Sequence, residues 1–144
     1  MNTKLKARLL DWLKLAACVA LGFPVLIYFL QERLIFFPQP LTQDPLKANT
    51  GAAIEAVSLS THEGPELRGW LVHASATRTP APILIYFGGN AEEVSWLASS
   101  AGRYAGWSLL LVNYRGYGGS EGKPGEAELF ADALQIYDYA QGRA

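Results

Sequence analysis

The sequence is poor in the residues that most active-site chemistry requires. It has one cysteine, Cys18, in 144 residues, so no internal disulfide can form and no cysteine-rich metal site exists. His62 and His73 are its two histidines, and no spacing of His, Cys, Asp or Glu matches a metal site. Phosphate-binding loops and dinucleotide fingerprints are absent; Gly116-Tyr117-Gly118 begins G-x-G but opens no helix. Neither a metal nor a cofactor is expected. A surplus of one charge is lacking too. With 12 Lys and Arg against 13 Asp and Glu the formal net charge is −1, which gives nucleic acid no electrostatic footing. No internal repeat is visible.

Apolar surface, by contrast, is abundant: 50% of the residues are hydrophobic. Leu15 to Leu30 contains no charged residue. At ~1.5 Å per residue this run covers about 24 Å, slightly short of a bilayer core of ~30 Å. Leu9, Leu10, Trp12 and Leu13 lengthen it on one side, with Lys14 snorkelling outward, and Leu34 to Phe37 lengthen it on the other. Trp12, Tyr28, Phe36 and Phe37 stand where an aromatic belt belongs, and a lipid-embedded helix tolerates Pro24. The expectation is a single span, with residues 12–37 against the lipid bilayer. A cleaved signal peptide fits less well, because no small-x-small site follows the apolar run. Leu15-Ala16-Ala17-Cys18 has the letters of a lipobox, yet the apolar block follows the cysteine instead of leading to it. A hydrophobic helix docked on protein is the remaining reading. Lys4, Lys6, Arg8 and Lys14, opposed only by Asp11, predict a cytoplasmic amino end. The rest would then face outward, across an inner membrane if the cell is bacterial.

Three segments follow: 1–37 as basic end and transmembrane helix, 38–51 as a linker marked by Pro38, Pro40 and Pro45, and 52–144 as the folded part. In the last, Ala53 to Ser60 and Leu67 to Ala74 read as strands joined by turn chemistry at Glu63-Gly64-Pro65-Glu66, hence an antiparallel hairpin. Ile83 to Phe87 and Leu109 to Val112 are continuous apolar runs, the mark of parallel strands buried on both faces. Between them, Asn90 as N-cap with Glu93 completing a capping box predicts a helix carrying Val94, Leu97, Ala98 and Ala101 inward. A last helix, Gly125 to Gln141, should turn Leu129, Phe130, Ala133, Leu134 and Tyr137 to the core, leaving Asp132 and Asp138 on a solvated face. The order is an antiparallel hairpin, then parallel βαβα: an α/β sheet that reads as incomplete, since a covering helix normally returns into another strand.

Gly118-Gly119-Ser120-Glu121-Gly122 spells G-x-S-x-G, the letters of a nucleophile elbow. An elbow needs a strand running straight into the first glycine and a helix starting after the serine. Here Asn113 to Tyr117 separate the motif from the strand, and Lys123-Pro124 delay the helix. Both histidines precede Ser120, whereas the α/β-hydrolase order is Ser, acid, His. Ser120 is therefore read as part of a glycine-rich loop and not as a nucleophile.

"ILIYFGGNAEEVSWLA" followed by "LLLVNYRGYGGSEGKPGEAELFADA" resembles the membrane-anchored α/β-hydrolases of the bud-emergence-protein and serine-aminopeptidase-like type, and the resemblance runs over essentially the whole chain. It implies an α/β-hydrolase sheet behind a transmembrane helix, and an elbow, acid and histidine that follow strands later than any here. It further implies that Phe87 to Ala91 is the oxyanion loop, with the Asn90 backbone N–H as one donor. Gly88 and Gly89 let backbone approach a ligand, and Tyr114 and Arg115 sit at the carboxyl edge of a strand, where parallel sheets place ligands. They are the candidate substrate-binding residues; for Arg115 a structural role, paired with a carboxylate or stacked on Tyr114 or Tyr117, is the favoured reading, and a plain tight turn is the alternative at Gly88-Gly89. The expectation is the amino-terminal part of a serine hydrolase for an ester, thioester or amide of unknown identity, without a triad of its own and inactive as it stands. The other reading is a non-catalytic, membrane-anchored α/β module that binds a partner.

Overall fold

The computed structural model describes residues 3–47, 51–74, 81–104 and 106–143. It divides into two compact units, Met1–Ile35 and Phe36–Ala144. The first is one helix, α1 (Thr3–Ile35), of 33 residues with Pro24 inside it. No residue of α1 is buried, as its leucines, Trp12 and Phe29 point outward all round. It is long and apolar enough to cross a membrane.

The second unit is a four-stranded mixed sheet in the order β1-β2-β4-β3. Strands β1 (Ile54–Ser60) and β2 (Glu66–Val72) pair antiparallel from Ile54 opposite Val72 to Ser60 opposite Glu66. Their turn closes through Thr61 N–H to Pro65 O and Gly64 N–H to Thr61 O, each 3.0 Å. β4 (Ser108–Val112) runs antiparallel to β2 and parallel to β3 (Ile83–Tyr86), which lies at the sheet's edge.

β4 shows why its sequence is unbroken apolar. Leu110 and Val112 pack with Val57, Leu67, Leu71 and helix α3 (Glu126–Gln141) on one face. Leu109 and Leu111 pack with Trp70, Val94 and Leu97 on the other. With a period of two residues per strand repeat, both faces are covered and each buried leucine contributes roughly 1.5–3 kcal/mol.

Two sequence expectations need correction. The helix expected to begin at Asn90 is a single turn, α2 (Ser95–Ala98), followed by a 3-10 turn at Ala101–Tyr104. Its N-cap position is Val94, not Asn90. Glu93 accepts from the backbone N–H and hydroxyl of Ser95 and from Thr42, and Asn113 Oδ1 takes Val94 N–H, so residues ahead of Ser95 are spent on side-chain and tertiary bonds instead of helical ones.

The second correction concerns α3. Its buried line is Asp132, Ile136 and Ala140, while Phe130 and Leu134, expected inside, are each 68% exposed. Asp138 is exposed as expected, but Asp132 is not. The cause is Arg115. Its Nε and Nη2 donate to the two carboxylate oxygens of Asp132, both at 2.8 Å, and its Nη1 donates to Glu63 at 2.6 Å. The Arg115 side chain is 5% exposed and that of Asp132 4%. A buried cation without a partner costs far more than a wetted Phe, so the bidentate pair sets the rotation of α3. Hydrogen bonding to Asp132 raises the guanidinium above its ordinary pKa, against its burial and with help from Glu63.

Asp132→Ala therefore leaves the buried Arg115 with only the exposed Glu63 as a partner, and should lower stability by about 3–5 kcal/mol. Glu63 is 60% exposed; Glu63→Gln should cost about 1 kcal/mol or less. Urea unfolding of the chain in detergent micelles, followed by near-UV circular dichroism, checks both; equal losses would contradict this assignment.

Candidate functional site

The chain leaving β4 is a loop, residues 113–122, in which each of four polar side chains holds a different part of the unit. Asn113 Oδ1 accepts Val94 N–H at 2.9 Å. Arg115 holds Asp132 and Glu63. The Tyr117 hydroxyl, fully buried, donates to Asn90 O at 2.6 Å and accepts Phe37 N–H at 2.9 Å. Ser120 Oγ accepts Arg68 N–H at 2.9 Å and donates to Asn113 O at 3.0 Å. Ser120 is 7% exposed. Its hydroxyl is committed to backbone groups, so the G-x-S-x-G letters spell a brace. Glycine is required at Gly118: φ is +51° there, and a Cβ would lie 2.2 Å from Asn113 Nδ2.

Beyond β3 the chain turns through Phe87-Gly88-Gly89-Asn90-Ala91 at the carboxyl edge of the parallel strands, and three successive peptide groups are held. Gly89 N–H donates to Glu92 Oε2 at 2.8 Å. Gly89 O accepts Glu92 N–H at 3.2 Å. Asn90 O accepts both Tyr117 and Phe37. A trans peptide points its N–H opposite its carbonyl, so the bond on Gly89 O fixes the direction of Asn90 N–H. Gly88 permits the tight path: a Cβ there would meet Val94 Cγ1 at 3.0 Å and Glu92 O at 3.1 Å.

Glu92 is the fastener of this loop. Besides Gly89 N–H, its carboxylate receives Trp96 Nε1 at 2.7 Å and the Tyr86 hydroxyl at 3.0 Å. Burial works to raise its pKa, but the bonds from Gly89, Trp96 and Tyr86 prevail and hold it below its ordinary value. Burial, and then Glu92, push Tyr86 up. Tyr114 stacks on Phe87 with ring centres 6.3 Å apart and meets Tyr117 edge-on at 6.0 Å. Burial raises the Tyr114 phenol, with Tyr117 and Glu92 adding to it, so it stays neutral.

Gly88, Gly89, Asn90 and Tyr114 thus gather at the edge of β3 and β4. Arg115 does not join them as a substrate-binding group, because its side chain is taken by α3 and the β1–β2 turn. Sequence reasoning missed Glu92, whose signal was a Trp four residues on, and it missed Tyr117. Of the expected linker, 38–51, residues 48–50 lie outside the described residues. The described part is a strap: Gln39 O accepts Gly118 N–H at 2.9 Å, and Thr42 donates to the buried Glu93.

No protein-family model matches the sequence. The chain is 34% identical to the uncharacterized protein Rv2307c of Mycobacterium tuberculosis, over 96% of this chain and 50% of that one. It is 29% identical to the protein bem46 of Schizosaccharomyces pombe, over 84% of this chain and 42% of that one. Among solved structures, the esterase Pf2001 of Pyrococcus furiosus superposes with a TM-score of 0.53 at 16% identity, over 75% of this chain and 41% of that one, which shows a shared fold. The chain spans about half the length of the curated relatives it matches.

The depressed pKa of Glu92 has a pH consequence. A carboxylate held low in the folded state stabilises it at pH above the unfolded value, ~4.3, and that contribution is lost as pH falls through the folded value. The Gly89 amide and Trp96 indole N–H resonances should shift together, with a midpoint below the ordinary carboxylate range. In Glu92→Gln that step should vanish. Independent midpoints for the two would contradict the shared carboxylate.

Proposed function

We propose, from the premise that the chain is a bem46-like α/β-hydrolase, that it supplies the oxyanion side and the membrane anchor of a serine hydrolase acting on an ester, thioester or amide. The observation that carries this reading is the clamped loop Phe87–Ala91. The Asn90 N–H, aimed before any substrate arrives, donates to the oxygen that becomes negative when a serine Oγ adds to the carbonyl carbon. Gly88 and Gly89 allow the substrate close to backbone, and Phe87 stacked on Tyr114 forms an apolar wall beside it. The nucleophile is not Ser120. It comes, with its acid and imidazole, from residues outside these 144. The imidazole takes the serine proton and returns it to the leaving group as the C–O, C–S or C–N bond breaks, and water then releases the acyl group. By itself this stretch turns nothing over.

Helix α1 holds the enzyme on the bilayer through residues 12–37, with a cytoplasmic amino end and, in a bacterium, the folded unit beyond the inner membrane. The basic residues Lys4, Lys6 and Arg8 at the amino end support that orientation. A second reading, a non-catalytic module that binds a partner, draws on the exposed Phe130, Leu134 and Tyr137 of α3.

A fluorophosphonate probe tests the reading. The 144-residue chain should remain unlabelled, and the protein translated with its downstream coding sequence should be labelled at a serine beyond it. Labelling of Ser120 would overturn the assignment; no labelling of either form would favour the partner-binding module. Ser120→Ala should instead cost stability, by about 1–3 kcal/mol, because Arg68 N–H and Asn113 O lose their partner. Thermal unfolding in micelles measures that loss.

A further inference from the structure

Helix α1 is longer than a bilayer core needs. Its 33 residues make a helix of about 50 Å at ~1.5 Å per residue. The charged residues at its two ends show which part lies in hydrocarbon. Lys14 and Glu32 are separated by about 27 Å of helix, close to a core of ~30 Å. Residues 3–11 then stand outside the hydrocarbon on one side, still helical, with Trp12 and Leu13 at its boundary.

That outer stretch is amphipathic in its own right. At ~100° per residue, Lys4, Arg8, Asp11 and Lys14 fall within an arc of about 120° and Leu5, Leu9, Trp12 and Leu13 within about 100° on the other side, with Lys6 at the rim of the apolar arc beside Leu13 and Leu10 between Lys6 and Lys14. Those four apolar side chains are 52–69% exposed. Water is a poor neighbour for them, and hydrocarbon a poor one for the cations; the headgroup layer satisfies both. Asp11 lies 3.7 Å from Lys14, so the stretch carries four cations against one carboxylate, a surplus of three, beside a leaflet surface.

We propose that residues 3–14 form a headgroup clamp for anionic phospholipid, with Lys4, Lys6, Arg8 and Lys14 on phosphate groups and Leu9, Trp12 and Leu13 at the acyl boundary. This rests on the reading of α1 as a membrane span. The clamp concentrates anionic lipid around the protein at one leaflet, and salt weakens it because the cations sit at the aqueous boundary.

The full chain, reconstituted in phosphatidylcholine vesicles, tests this. A minor fraction of the lipid carries bromine near the interface, either as phosphatidylglycerol or as phosphatidylcholine. Trp12 emission is isolated by difference from Trp12→Phe. Quenching by the brominated phosphatidylglycerol should exceed that by the brominated phosphatidylcholine at least about twofold at low salt. The excess should disappear in high salt and in the triple variant Lys4→Gln, Lys6→Gln, Arg8→Gln, in which the span remains intact. Equal quenching by the two lipids overturns the clamp and leaves the span standing. An excess that survives in the triple variant overturns the assigned residues. Absence of quenching by either lipid removes the span, and the clamp with it.

Discussion

The folded unit depends on one buried hydroxyl. Tyr117, at 0% exposure, donates to Asn90 O and accepts Phe37 N–H. Through that one oxygen the loop after β4, the loop after β3 and the strap at Phe37 are held together. None of these segments has regular secondary structure to bind it. Their backbone groups are satisfied by each other, and a loop so placed keeps its shape only while its partners stay. Burial raises the phenol's pKa, opposed by the Phe37 bond, so the donor persists wherever the fold does.

The glycine-rich loop 113–122 repeats this logic at each polar position. Asn113, Arg115, Tyr117 and Ser120 each reach a different element. A motif that looks catalytic by its letters is thus the frame on which the candidate oxyanion loop is mounted. An accessible serine nucleophile and a buried serine bonded twice to backbone make opposite demands on the same side chain, and only the second is met here.

Much of this was legible in the residues. The unbroken apolar runs of β3 and β4 pointed to strands covered on both faces, as β4 is, and turn chemistry at Glu63-Gly64-Pro65 pointed to a hairpin. The misreadings share one cause: local pattern was overruled by distant polar partners. The stripe of Phe130, Leu134 and Tyr137 on α3 promised a buried face, but Arg115 needed Asp132, and periodicity carries no record of an ion pair 17 residues away. The capping box at Asn90 and Glu93 was plausible locally, yet Glu93 is held by Thr42 from 51 residues upstream. The glycine pair at Gly88-Gly89 leaves a mark in sequence that drew Asn90 into the candidate loop; the bonds of Glu92 leave none, because its three donors come together only in the folded loop.

The most direct test of this account is amide hydrogen exchange in Tyr117→Phe. If the hydroxyl is the tie between the two loops, exchange at Gly89 to Glu92 should quicken by about tenfold or more, the loss of roughly 1.4 kcal/mol or more of local protection, while Leu109 to Val112 in β4 keep theirs. Unchanged exchange at Gly89 to Glu92, or a uniform rise that includes β4, would contradict it.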